Sequence, residues 1–244
     1  MGIYTLMPRR RVAKPKKAFR AKRKFAKKGR KKYNKPATVT IRQPGVICAD
    51  LYRVKLSYVD TTSNKVAIVG NSFGYVRYWA NNPYDPNPLI LTTTVPGFKQ
   101  LTTLYNRYRC PATKLVVRAT NMETFPVVVL IWPSFVDLTT SLSNQFLQEM
   151  ISNPYCRWKM LSPKGGMDRC SLTEYMSWKK FSGTSNVNTD RDYSAPVSTN
   201  PGVTFYWNIG AYSVDGSTFT AANVVFEARM VMYTEFYERV TLSS

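Results

Sequence analysis

Sixteen lysines and arginines fall within the first 35 residues, and no aspartate or glutamate falls among them. They are Arg9, Arg10, Arg11, Lys14, Lys16, Lys17, Arg20, Lys22, Arg23, Lys24, Lys27, Lys28, Arg30, Lys31, Lys32 and Lys35. A run of this kind does electrostatic chemistry. Each cation that neutralises a phosphate releases condensed counterions, with a salt slope of about −0.7 per contact on a single strand. Binding of this type is strong at low salt and indifferent to base sequence. Phe19, Phe25 and Tyr33 are interleaved and suited to stack on bases, a contribution of roughly 1–3 kcal/mol each. The clusters MPRRR and RAKRKFAKKGRKK also have the composition of a nuclear import signal. A charge run is otherwise a solvated face, so the segment alone leaves three roles open: nucleic-acid binding, import and solubility.

The rest of the chain is electrostatically ordinary. Of the formal +21, the first 35 residues hold +16, and the remaining 19 basic and 14 acidic residues leave +5. Self-repulsion keeps residues 1–36 from burying a core, and they are expected to be disordered until they meet a polyanion. Residues 37–244 suit one large all-β domain, since such domains often reach 200–250 residues undivided. No apolar run of 18 or more occurs, so no membrane span is expected. The N-terminus lacks the charge-then-apolar order of a secretory signal.

Catalytic and metal chemistry find little to work with. The chain contains no histidine, which removes the usual general base near neutral pH and the commonest metal ligand. Ser-His-Asp and Cys-His arrangements are thereby impossible within it, and no Gly-rich phosphate loop occurs. Cys48, Cys110, Cys156 and Cys170 form no CxxC pair and read as free, buried thiols; a Cys156–Cys170 disulfide is the alternative. Asp190 and Asp192 flank Arg191, either as ligands for a divalent cation or as loop charges in an Asx turn. Glu235 and Glu238 with Arg239 read as surface charges or intersubunit salt bridges. No cofactor, metal or catalytic residue is expected.

Alternating apolar and polar residues place strands at 46–59, 65–78, 108–121, 125–135, 156–161, 171–181, 203–214 and 223–240. Gly70 or Gly74 marks a bend in the second, and the fourth, FPVVVLIWPSF, is apolar enough to be buried on both faces. Residues 141–151 change period: Leu142, Phe146, Leu147 and Met150 share one helical face, and Pro154 stops the helix. The stretch 79–97 holds four prolines and 182–202 is rich in Gly, Ser and Asn, so both read as long loops, which on β scaffolds carry contacts more often than core. Eight antiparallel strands with long connections predict a double-sheet jelly roll.

The strings GNSFGY (70–75), PGFKQLTTLYNRYRCPATKLVVRATN (96–121), NPYCRWKMLSPKGG (153–166) and TDRDYSAPVSTNP (189–201) give the chain a family likeness. It resembles the capsid proteins of circular, replication-initiator-encoding single-stranded DNA viruses, the circovirus-like group. The likeness rests on Gly97-Phe98, then Leu104-Tyr105-Asn106-Arg107-Tyr108-Arg109, with Lys114 opening the apolar run. Cys110-Pro111 and Thr113-Lys114 depart from that group's small apolar pair and Ser-Lys. The resemblance implies a viral jelly roll that self-assembles as an icosahedral shell of about 60 copies, with the basic arm inside on the genome. Its partners would be a single-stranded DNA genome, further copies of the chain, a host nuclear import receptor and an attachment factor left unspecified. Virion and host nucleus are the implied locations. Lys99, Arg107, Arg109 and Lys114 would add a basic inner lining, or else form structural salt bridges. The arm's chemistry serves RNA as well as DNA, so a small RNA virus capsid stays open, as does a non-assembling nucleic-acid-binding protein.

Overall fold

The computed structural model describes residues 49–60, 67–68, 73–88, 90, 93–136, 149–184, 189–217 and 224–240. The arm, with all sixteen of its cations, and Cys48 lie outside them. So does most of the expected helix at 141–151, of which residues 149–151 are described and helical, the helix running on to 152.

Among the described residues ten strands are formed: β1 (Leu51–Asp60), β2 (Ala67–Ile68), β3 (Phe73–Trp79), β4 (Tyr105–Asn121), β5 (Val127–Ser134), β6 (Arg157–Leu161), β7 (Arg169–Ser177), β8 (Ser194–Pro196), β9 (Tyr206–Ser213) and β10 (Val224–Arg239). They make two antiparallel sheets. The first has the order β1-β10-β4-β7, with β8 also on β4, and the second β2-β3-β9-β5-β6. Without the two short strands β2 and β8, the pairs β1·β10, β3·β9, β4·β7 and β5·β6 nest from the chain's outside inwards. The chain is therefore one long antiparallel ribbon rolled over on itself, which is an eight-stranded jelly roll.

The core lies between the sheets. Leu56, Leu115, Val117, Leu172, Met230 and Met232 point inwards from the first sheet to meet Val76, Val127, Val129, Ile131, Trp207 and Ile209 from the second. Trp178 stacks on Phe205 with ring centroids 4.4 Å apart, and the Trp207 indole N–H donates to Thr113 Oγ1 at 2.7 Å, so its polar atom is buried with a partner. As its composition predicts, β5 is buried on both faces from Val127 to Pro133. Its outer side is covered by a second apolar cluster of Phe73, Leu130, Trp132, Met150 and Cys156. Gly210 belongs there for a steric reason: a Cβ would come within 2.9 Å of the Trp132 ring.

Several expectations are corrected. The 65–78 strand is two pieces that pair antiparallel with each other; Gly74 sits inside β3, paired with Ala211, and Gly70 lies outside the described residues. The strand expected at 171–181 is β7 and ends at Ser177, because Trp178 and Phe181 bury one side of a helical turn, α2 (Trp178–Ser182), which Gly183 closes at φ 71°. A further turn, α1 (Phe98–Thr102), starts from Gly97 at φ 86°, so the Gly-Phe element is a turn that delivers Phe98 to the core. Within 182–202 lie a 3-10 turn (Arg191–Tyr193) and β8.

The two long loops are not wholly solvent-facing. Asn81, Asn82 and Asn87 are buried; Asn82 Nδ2 donates to Asn200 Oδ1 at 2.9 Å, and Asn81 Nδ2 donates to the Val203 carbonyl at 2.8 Å. Tandem asparagines here clamp one loop to the other. Cys156 and Cys170 are both free, so the disulfide alternative is excluded, while Cys110 is buried deeply enough that its thiol is pushed up to about 12.

Candidate nucleic-acid interface

The first sheet presents its inner face to the core and its other face to solvent, and a single irregularity decides what the solvent face carries. Tyr233 pairs with Ala112 and Glu235 with Arg109, so Cys110 and Pro111 of β4 lie opposite Thr234 alone. Two residues against one is a β-bulge, and Pro111, with no N–H to give the ladder, occupies it. The extra residue shifts the alternation. Before the bulge Arg107 and Arg109 face outwards; beyond it Lys114, Val116 and Arg118 do, while Leu115 and Val117 are buried. An unbroken period of two would have sent the two cationic groups to opposite faces. The bulge also divides β4's partners, β8 serving Arg107–Arg109 and β7 serving Ala112–Thr120.

Charge is distributed unevenly along this face. At one end the cations are matched. Glu235 accepts from Arg53 Nε at 2.7 Å and from Arg109 Nε at 2.6 Å, three residues of one cross-strand row. Glu235 is buried, so its expected place among surface charges is corrected: the guanidiniums on both sides are what allow a carboxylate to be there. Arg107 lies 3.9 Å from Glu238 and donates to Ser194 Oγ, and Arg239 pairs with Asp50 at 2.8 Å. For Arg107 and Arg109 the salt-bridge alternative therefore holds.

Further along, the rows become basic and aromatic. Between the Glu235 row and the Glu227 row the outward residues are Lys55, Ser57 and Val59 of β1; Tyr233, Val231 and Arg229 of β10; Ala112, Lys114 and Val116 of β4; and Ser177, Tyr175 and Thr173 of β7. None is acidic. Tyr175 is 51 % exposed and meets Tyr233 edge to face, centroids 5.6 Å apart, with Lys55 Nζ 5.2 Å from the Tyr233 centroid. Burial and the neighbouring Tyr233 raise the Tyr175 phenol above its ordinary 10.0. Beyond them a cleft of about 560 Å³ opens, lined by Arg118, Thr120, Arg169, Ser171 and Glu227. Arg118 and Glu227 stand 3.5 Å apart across it, both well exposed, an arrangement worth little and readily exchanged.

Of the cations singled out in the sequence, Lys114 belongs to this zone and Lys99 sits on α1, away from it. Lys55, Arg118, Arg169, Tyr175 and Tyr233 escaped notice, whereas Arg229 shares a face with Val225, Glu227 and Val231, as the alternation of the last strand predicts. The signal available was the alternation in β10, where Arg229, Val231, Tyr233, Glu235 and Tyr237 fall two apart. Asp190 makes the Asx turn, its Oδ1 accepting from the Asp192 N–H at 3.0 Å.

No family model and no curated protein matches the chain. Solved structures are similar in chain path. A mud crab tombus-like virus chain matches at 10 % identity and a TM-score of 0.47, over 97 % of this chain and 96 % of that one. A chain from a semi-empty virus-like particle of the giant freshwater prawn Macrobrachium rosenbergii nodavirus matches at 11 % identity and a TM-score of 0.47, over 82 % and 100 %. One from Desmodium yellow mottle tymovirus matches at 9 % identity and a TM-score of 0.40, over 83 % and 96 %.

Proposed function

We propose that this chain is the shell subunit of a small virus, assembling as an icosahedral capsid of about 60 copies around single-stranded DNA. The observation that carries this reading is the combination of a jelly-roll body with an N-terminal segment of sixteen cations and no acid. A two-sheet sandwich is rigid and offers loops and edges for contact between copies. A polycation of this density needs a polyanion of comparable charge. Sixty arms would bring about 60 × 16 positive charges into one cavity, so that genome and shell neutralise each other. DNA as cargo, and nuclear import by the arm's MPRRR and RAKRKFAKKGRKK clusters, follow the circovirus-like motifs. The role is structural and requires no catalytic residue.

Purified protein examined by negative-stain microscopy and light scattering should show particles of about 20 nm, from ordinary domain dimensions and about 60 copies. A monodisperse monomer at low and high salt, with and without nucleic acid, would overturn the shell. Removing residues 1–36 should abolish packaging. Cargo resistant to DNase and digested by RNase would turn the reading to an RNA capsid, and a reporter carrying the arm that stays cytoplasmic would remove the import role.

A further inference from the structure

We infer that the outward face of the first sheet is a base-stacking platform for single-stranded nucleic acid, centred on Tyr175 and Tyr233 and flanked by Lys55, Lys114 and Arg229. The inference rests on the nucleic-acid half of the proposal above and not on shell formation.

An open sheet face that binds nothing is ordinarily a mixture of both charges and small polar groups. This one is sorted. Its acids are confined to the end rows, Glu235 held by two arginines and Glu227 beside Arg118, and the outward residues between them include three cations, two tyrosines and no carboxylate. A tyrosine half exposed on a flat face offers a ring that any base can cover, and the edge-to-face contact with Tyr233 fixes its orientation. Lys114 is its direct cross-strand neighbour and Arg229 pairs with Val116 one row further, so cations stand beside the ring where the backbone of a stacked nucleotide runs. Alternate residues of a strand repeat at about 6.6 Å, a step an extended single strand can follow from nucleotide to nucleotide. The track continues into the cleft, where a phosphate arriving between Arg118 and Arg169 would displace Glu227 from its exposed pairing.

This binding differs in kind from that of the arm. Cations bind any polyanion; a stacking face needs bases. On a plot of log affinity against log salt, phosphate contacts set the slope and stacking sets the height of the line. The experiment uses the full-length protein with oligo(dT) and, in parallel, base-free polyphosphate. Tyr175→Ala should give a line for oligo(dT) parallel to the wild type and at least about fivefold lower, while the polyphosphate line stays in place. Tyr175→Phe, which keeps the ring, should restore the oligo(dT) line. Lys114→Ala with Arg229→Ala should lower the slope by about 1.4, two contacts at 0.7 each. Superimposed lines for Tyr175→Ala and wild type, or an equal displacement for both polyanions, overturn the inference. Light scattering of the same samples separates it from the shell reading: loss of particles with unchanged oligo(dT) binding would make this face a contact between copies, which also overturns it.

Discussion

Replacing Glu235 with glutamine tests whether the matched end of the first sheet is a structural anchor. The carboxylate side chain is 12 % exposed and lies between Arg53, 72 % exposed, and Arg109, 21 % exposed. The two halves of this row should weigh very differently. An exposed pair such as that with Arg53 contributes about 0–1 kcal/mol. Breaking a fully buried pair costs about 3–5 kcal/mol, because the remaining charge is left uncompensated. Arg109 keeps some access to water and the Tyr237 ring 5.4 Å away, which brings its share below that range. The expected loss for Glu235→Gln is about 2–3 kcal/mol. At about 2–4 °C per kcal/mol for a domain of this size, the midpoint falls by about 5–10 °C. Thermal unfolding by circular dichroism at two ionic strengths is the assay, with Arg53→Ala alongside, expected to cost under about 1 kcal/mol. The loss should hardly change with salt, since a half-buried pair is poorly screened. If Glu235→Gln costs no more than Arg53→Ala, or if its cost vanishes in salt, the row is a surface pair and the reasoning fails.

Gly210→Ala drives a Cβ into the Trp132 and Phe73 rings, and should cost about 1–3 kcal/mol by denaturant unfolding; an unchanged midpoint would show that the outer cluster of the second sheet yields freely. Native protein at pH 8 should leave Cys110 and Cys156 unalkylated, since burial pushes their thiols up to about 12 and about 11, and both should label in urea; peptide mass spectrometry reads each site, and rapid native labelling of Cys110 would contradict its burial. Burial raises the phenols of Tyr58, Tyr78 and Tyr108 above the ordinary 10.0, so the fold holds protons that the unfolded chain releases. Stability should therefore fall as pH rises beyond about 10. Tyr78→Phe, which removes the O–H donating to the buried Asp60 carboxylate at 2.8 Å, should cost about 1–3 kcal/mol at neutral pH and flatten that alkaline fall; an unchanged profile would refute the assignment.

What could be read in advance depended on whether a property was local. The fourth predicted strand was legible because VVVLIW is apolar without interruption, and the jelly roll followed from counting strands and long connections. Charge on the arm is a matter of composition alone. The basic and aromatic outer face was not legible, because it depends on register. Nothing near Lys114 says that it shares a face with Arg109; that requires the bulge at Cys110-Pro111, and the bulge shows only against Thr234, more than 120 residues away. Tyr175 looked like one aromatic among many until its pairing with Lys114 was known. Glu235 was misjudged for the same reason, since both arginines that bury it come from other strands. The tandem asparagines read as loop residues, their common use, and only the Val203 carbonyl and Asn200 give them a buried role.

The nesting of the strands has a consequence in time. β1 pairs with β10, and 164 positions separate Asp60 from Val224. At about 5–20 residues per second, a ribosome needs about 10–30 s after finishing the first strand to supply its partner. β10 also lies between β1 and β4, so the first sheet has no centre until the last strand emerges. The polycationic segment is made first and the tyrosine face completed last. During synthesis the chain therefore carries its cationic segment well before its tyrosine face, and a message interrupted before residue 224 would yield a protein that has the first and never gains the second.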